Sequence, residues 1–223
     1  MPTTILAIAS LHSFHKDNPT FSYDHLFEVV DKFKPDFVGI EIRQEDIGAD
    51  ETYLSRNYPY EMVELSKRYE DRCFGFDWLG KDITGQPIPE NYWKEISSYK
   101  KLERQLSEDP DFQDTPLLDD LYNLQMDIAK IATPSSLING RYGEVTKQYY
   151  QAMDNLLHGT KYEDLARFRH KRDEEIGHQI VNFIREHSGS RIALVMGANH
   201  HVFAVNTITN HFKNDEIRLE VPG

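Results

Sequence analysis

Cysteine is almost missing from this chain of 223 residues, which carries only Cys73. One thiol makes no internal disulfide and supplies no zinc ribbon or iron–sulfur cluster. Positive charge is also scarce. Twenty-five Lys and Arg stand against 37 Asp and Glu, a formal charge of −12. Generic nucleic-acid or anionic-membrane binding needs a basic face, so neither partner class is expected. No apolar run approaches the ~18–20 residues of a membrane span. The opening MPTTILAIAS has no basic leader, and His12 and His15 interrupt its apolar stretch. It reads as a first strand rather than a signal peptide, and a cytoplasmic protein is expected. HExxH, P-loop, GxSxG and GxGxxG are all lacking, which removes the better-defined zincin, nucleotide and serine-hydrolase signatures.

What is there suffices for a core. An apolar share of 39% with 12% aromatics excludes a disordered chain, and the length suits one domain with an elaborate insertion. Four short apolar runs read as buried strands: Ile5–Leu11, Phe37–Ile42, Arg72–Trp78 and Ile192–Gly197. Helical patterns separate them, over Tyr23–Phe33 up to Pro35 and over Pro59–Tyr69. Near-continuous apolar strands divided by helices predict an α/β fold, with a mostly parallel central sheet flanked by helices. Glu216–Val221 alternates and fits an edge strand.

Residues 91–157 contain no good strand. They read as a helical cap inserted into a single α/β domain spanning 1–223, with helices through Tyr92–Leu106, from Thr115-Pro116, and through Val145–Leu157. Such a cap is the part best placed to cover a pocket and set specificity. A last long helix is expected from a capping box at Thr160–Glu163 to about His187. Its apolar stripe is Leu165, Phe168, Ile176, Ile180, Phe183 and Ile184. Arg169 and Arg172 fall on that stripe, where a plain core helix carries Leu or Ile, and Asp173 flanks it.

The chemistry-bearing residues cluster at strand ends. The first strand ends at His12, with His15 beyond. The second carries Glu41 and Arg43, the third ends at Asp77, and the fourth runs into Asn199, His200 and His201. Ligands of open α/β sheets bind outside the carboxyl ends of the strands, so these side chains are expected around one crevice. Glu41, between two Ile, is costly to bury unpaired and needs an Arg, a metal or a shared proton. Arg172 has the converse need. A purely structural Glu–Arg pair is the plainest alternative. The tyrosines Tyr53, Tyr58 and Tyr60 fit either a lid or ordinary packing, and Cys73 fits packing better than nucleophilic chemistry.

The order of motifs resembles the TraB/GumN/Tiki group, which is related to erythromycin-esterase-like and ChaN-like proteins. The resemblance rests on the early strand ending in His12, GIEIR around Glu41, Arg172-Asp173 on a helix, and the GxxH at Gly197–His200. The first GxxH is degenerate, with Ala9 in place of Gly. About half of the chain is covered, and the stretch from about Asn91 to Leu157 matches nothing in the group. The resemblance implies a pocket of two His and a Glu, used in different branches for metal-dependent peptidase, metal-independent ester-hydrolase or haem-binding roles.

A hydrolase of peptide or ester bonds acting on a small-molecule or peptide substrate is therefore expected, with Glu41, Arg43, Asp77, Arg172 and His200 as its working residues. In a metal-dependent form, His12, Glu41 and His200 hold Zn or Mn, joined by Asp77. In a metal-free form, one His activates water and Arg172 or Arg43 binds the oxyanion. A pocket that holds haem or another ligand without turnover is the alternative, and a site decayed to an ion-pair cluster is a third.

Overall fold

The computed structural model describes residues 1–93 and 97–222. The α/β class expected from the sequence is the one that forms. Five strands make one all-parallel sheet: β1 (Thr3–Ser10), β2 (Phe37–Arg43), β3 (Cys73–Asp77), β4 (Arg191–Gly197) and β5 (Ile217–Glu220). Their order is β3-β2-β4-β1-β5. The helices are α1 (Tyr23–Phe33), α2 (Glu51–Asn57), α3 (Tyr60–Arg68), α4 (Ser98–Glu108), α5 (Pro116–Lys130), α6 (Pro134–Leu137), α7 (Arg141–Leu157), α8 (Glu163–Glu186) and α9 (Ala198–His211).

Burial on both faces explains the unbroken apolar strands. Val38, Ile40 and Ile42 of β2 pack with Leu26 and Val30 of α1 and Met62 and Leu65 of α3. On the other face Ile5, Leu194 and Met196 meet Ile176, Ile180 and Ile184 of α8 and Ala204 and Ile208 of α9. β1 leads through α1 to β2, but β4 lies between these two strands. The chain then moves outward to β3, and later returns to fill the gap before crossing to β5. This reversal of winding leaves a crevice at the carboxyl ends of β1, β4 and β2.

β5 is the edge strand expected, with Ile217 buried and both Arg218 and Leu219 exposed, so its burial does not follow the alternation of its sequence. The helices differ from the sequence reading at several places, and α7 begins at Arg141 rather than Val145. α2 is an additional short helix, N-capped by Asp50, whose side chain accepts from the Tyr53 N–H. α8 begins at Glu163, and the Thr160–Glu163 capping box does not form. The Thr160 hydroxyl instead donates to the Leu157 carbonyl and accepts from the Tyr162 N–H, so the turn after α7 uses the group that the cap needed. The helix expected over Tyr92–Leu106 is α4, starting at Ser98; Lys94, Glu95 and Ile96 of that reading lie outside the described residues.

The helices α4 to α7 lie beside the sheet's carboxyl end. α5 packs on α7, α7 on α8 and α9, and α4 on α8. Leu137 and Tyr142 join the same apolar core as β1 and α1. Among the described residues, no helix is long and apolar enough to cross a membrane.

Candidate functional site

The site begins with a bulge. Ile40 pairs with Gly75, but Arg43 pairs with Asp77, so β2 carries one residue more than β3 between these points. Gly75 permits this close approach, because a Cβ there would sit 2.4 Å from the Ile42 carbonyl oxygen. Bulges re-aim side chains beside functional sites. Here Glu41 faces α8, where the Arg172 guanidinium meets it. Arg172 Nη2 donates to Glu41 Oε1 at 2.8 Å and Nε donates to Asp77 Oδ1 at 2.9 Å. The second Glu41 oxygen accepts the Gly197 N–H at 2.7 Å, at the end of β4. Burial alone would raise the Glu41 pKa. His200 when it is protonated, Arg172 and His12, with the Gly197 N–H, overcome it and hold the carboxyl down at about 2.

Two imidazoles flank this carboxylate. His200, in the first turn of α9, places Nδ1 2.6 Å from Asp173 Oδ1 and Nε2 3.5 Å from Glu41 Oε1. Asp173 is buried and acceptor-only when ionised, so Nδ1 carries the proton and Nε2 is left toward Glu41. His12 follows β1 with φ +50°, a left-handed backbone that a non-glycine residue adopts at a cost. Its N–H is tied to Ser10 Oγ, and its Nδ1 donates to Glu61 Oε1 at 2.7 Å. Nε2 then points at Gly197, where an added Cβ would be 2.5 Å from it and 3.2 Å from Glu41 Oε2. Burial lowers the His12 pKa, but the Glu61 hydrogen bond and the charges of Glu41 and Glu61 outweigh it and leave it raised.

Of the residues expected around one crevice, His12, Glu41, Asp77, Arg172 and His200 come together. Arg43 does not. Its guanidinium is buried and bonds Asp46 with Nε (2.7 Å) and Nη2 (2.9 Å), and the carbonyls of Ile83 and Gln86. Tyr53 and Tyr58 also bond Asp46, so these tyrosines complete a structural clip and do not form a lid. His15 is wholly buried and serves the backbone: Nδ1 donates to the Phe21 carbonyl and Nε2 accepts the Leu11 N–H. His201 turns back to the Ala7 carbonyl, and burial pushes its pKa down to about 4.

Glu61 was not legible as a site residue. It is wholly buried on α3 and accepts from Ser10 Oγ and His12 Nδ1, each at 2.7 Å. The available signal was an acid among the apolar positions Met62, Leu65 and Tyr69, the same kind of break that singled out Arg172 on α8.

A divalent ion does not fit these side chains. Both Glu41 oxygens are committed, one of them to a guanidinium whose charge would repel a cation. Among the described residues, no group of three or more His, Cys, Asp or Glu is arranged to hold a metal. The cleft beside Arg172 and His200 has a volume of about 190 Å³. It is smaller than the ~300–1,000 Å³ of ordinary ligand pockets, so it does not fit haem either. A larger groove of about 460 Å³ lies along the β3 edge near Gln44, Arg72 and Asn182, and contains none of the clustered residues. Comparison with known proteins finds no matching family model, no similar curated protein and no similar solved structure.

Proposed function

We propose that the protein is a metal-independent hydrolase of an ester or amide bond. One observation carries this reading: two imidazoles, each held at Nδ1 by its own buried carboxylate, flank a glutamate clamped by an arginine. The hydrogen bond at Nδ1 fixes the tautomer and leaves Nε2 for proton transfer. The motifs behind the resemblance to the TraB/GumN/Tiki group contribute His12, Glu41, Arg172, Asp173 and His200 but not Glu61; they support a hydrolase, and the metal-free form rests on the commitment of both Glu41 oxygens to Arg172 and the Gly197 N–H.

In this reading His200, which lines the cleft, takes a proton from water as the water oxygen attacks the substrate carbonyl. Asp173 balances the imidazolium that results. The oxyanion is met by Arg172, whose Nε and Nη2 are engaged by carboxylates while no described acceptor is bonded to Nη1. Glu41 is too acidic to act as the base and keeps Arg172 oriented. His12, which lies outside the cleft lining and whose raised pKa favours the imidazolium, delivers its proton through water to the leaving oxygen or nitrogen as the tetrahedral adduct breaks. Proton return from His200 to His12 through water restores the starting state.

The test is a panel of small esters and amides with chelator-treated protein. Turnover should survive the chelator and fall by about 10²–10⁴ in His200→Ala, as for loss of a general base. Turnover that needs added Zn or Mn would overturn the metal-free reading. A saturable ligand with no turnover of any substrate would favour a binding protein instead.

A further inference from the structure

The cleft at His200 has a lining at odds with the rest of the molecule. The chain carries a formal charge of −12, yet Lys100, Arg169 and Arg172 line this cleft and no described carboxylate does. Their counter-ions sit behind them: Glu103 on Lys100, Asp154 on Arg169, and Glu41 with Asp77 on Arg172. The remaining wall is largely aromatic. Phe168 and Tyr99 of this wall join Trp78, outside the lining, in one ladder with ring centres 5.6 and 4.6 Å apart. Arg169 and Tyr150 form a second with Phe203, outside the lining, the guanidinium 4.1 Å from the Tyr150 ring centre and Phe203 stacked on that ring at 5.1 Å. Arg169 also holds a buried Nε–H that has no partner among the described residues. A donor left so costs about 1–3 kcal/mol, and an acceptor supplied by a ligand would recover it.

We propose, resting on the hydrolase reading, that this cleft selects a substrate with a single aromatic ring and a carboxylate close to the scissile bond, of the benzoylated amino-acid type. A volume of about 190 Å³ admits one ring and little more. The aromatic ladders are already stacked, so they offer the ring a rigid wall with little ordering cost. The anion meets Arg169 and Lys100, and the carbonyl is left to Arg172 and His200. Hydrolysis adds water across the amide bond and releases an aromatic carboxylate and an amine.

Trp78 and Trp93 are the only tryptophans of the chain. Trp93 lines the cleft and Trp78 stacks on Phe168, so intrinsic fluorescence reports occupancy directly. The probes are benzoate, cyclohexanecarboxylate and benzylammonium, titrated into the whole chain, with hippurate as the substrate. Benzoate should change the fluorescence saturably and bind at least about tenfold tighter than either control, a gap of ~1.4 kcal/mol. Arg169→Gln should erase this preference for the anion. If that variant does not fold, Lys100→Gln, on a half-exposed side chain, should weaken benzoate in the same direction. His12→Asn should abolish hippurate hydrolysis and leave benzoate binding unchanged, since His12 does not line the cleft. Equal binding of the three probes, or no binding of benzoate, overturns the assignment even if other esters are hydrolysed. Benzoate binding without hydrolysis of hippurate or any ester leaves the cleft's ligand class standing and overturns the hydrolase reading.

Discussion

His12 is aimed by three separate contacts, and each has a different sensitivity. The left-handed backbone and the Ser10 bond set the ring's origin, while Glu61 sets its tautomer and its charge. Glu61→Gln keeps the shape and an acceptor for Nδ1–H but deletes the negative charge. The His12 pKa should then fall toward the ordinary ~6.5. If His12 is the acid, activity falls as pH rises through its pKa, so the alkaline limb of kcat/KM should move to lower pH in Glu61→Gln. A pH–rate profile beside an NMR titration of the His12 ring checks this, and an unmoved limb would remove Glu61 from any positioning role. Gly197 is the complementary case. Gly197→Ala puts a methyl 2.5 Å from His12 Nε2. The ring must shift, and since a misplacement of about 1 Å costs on the order of 10²-fold in rate, kcat should drop by about that much. Thermal melting separates this from global damage. The residues that could be read from sequence carry one of two signals: Glu41 and Arg172 interrupt apolar patterns, and His12, Asp77 and His200 lie at or just beyond strand ends. Arg43 misled because it stands with Glu41 at the end of the second strand, where regular alternation would keep the two on one face. The bulge between Ile40 and Arg43 breaks that parity, and nothing local in the sequence announces it.

At the scale of elements, the same bulge assigns Arg43 a second task. It ties the end of β2 to Asp46 and to the turn that holds Ile83 and Gln86, which carries the chain away from β3. Replacing Arg43 with Met leaves Asp46 buried with only tyrosine hydroxyls for partners. Breaking a buried pair from one side costs about 3–5 kcal/mol. Arg43→Met should therefore unfold at markedly lower denaturant concentration, while the fraction still folded at low temperature keeps its kcat. Loss of kcat with an unchanged urea midpoint would return Arg43 to the site. Element types were readable because the apolar runs are short and continuous in strands and periodic in helices. Their boundaries were less so. The Thr160 cap failed because a side chain has one hydroxyl and the preceding turn took it. The lining of the cleft was unreadable for a related reason: Tyr99, Tyr150 and Phe168 come from α4, α7 and α8, and only their packing brings them together.

The whole molecule should respond to pH from both sides, because its buried and partly buried titratable groups are shifted in opposite directions. His201, with its pKa pushed down to about 4, stays neutral in the fold when the unfolded chain already binds a proton near 6.5. The unfolded state then holds more protons, so stability falls as pH drops through that window. His15, shifted down by burial, acts in the same sense. Glu41 and Glu61 are held below the ordinary carboxylate range, so their contribution is complete above about 4.3 and is lost as pH falls further. His12 has the opposite sign: its raised pKa stabilises the fold below ~6.5, and that gain disappears as pH rises through the folded value. Maximum stability is therefore expected near or just above pH 6.5, with a decline in two stages on the acid side. The first stage can be removed selectively. His201→Gln retains a donor for the Ala7 carbonyl but does not titrate. Between pH 7 and 4.5 the wild-type protein should lose about 2 kcal/mol more than the variant, the part of this shift that the window spans. Urea unfolding at the two pH values measures the difference. Parallel losses in both proteins would show that His201 is reached by solvent and that the acid sensitivity comes from the carboxylates alone.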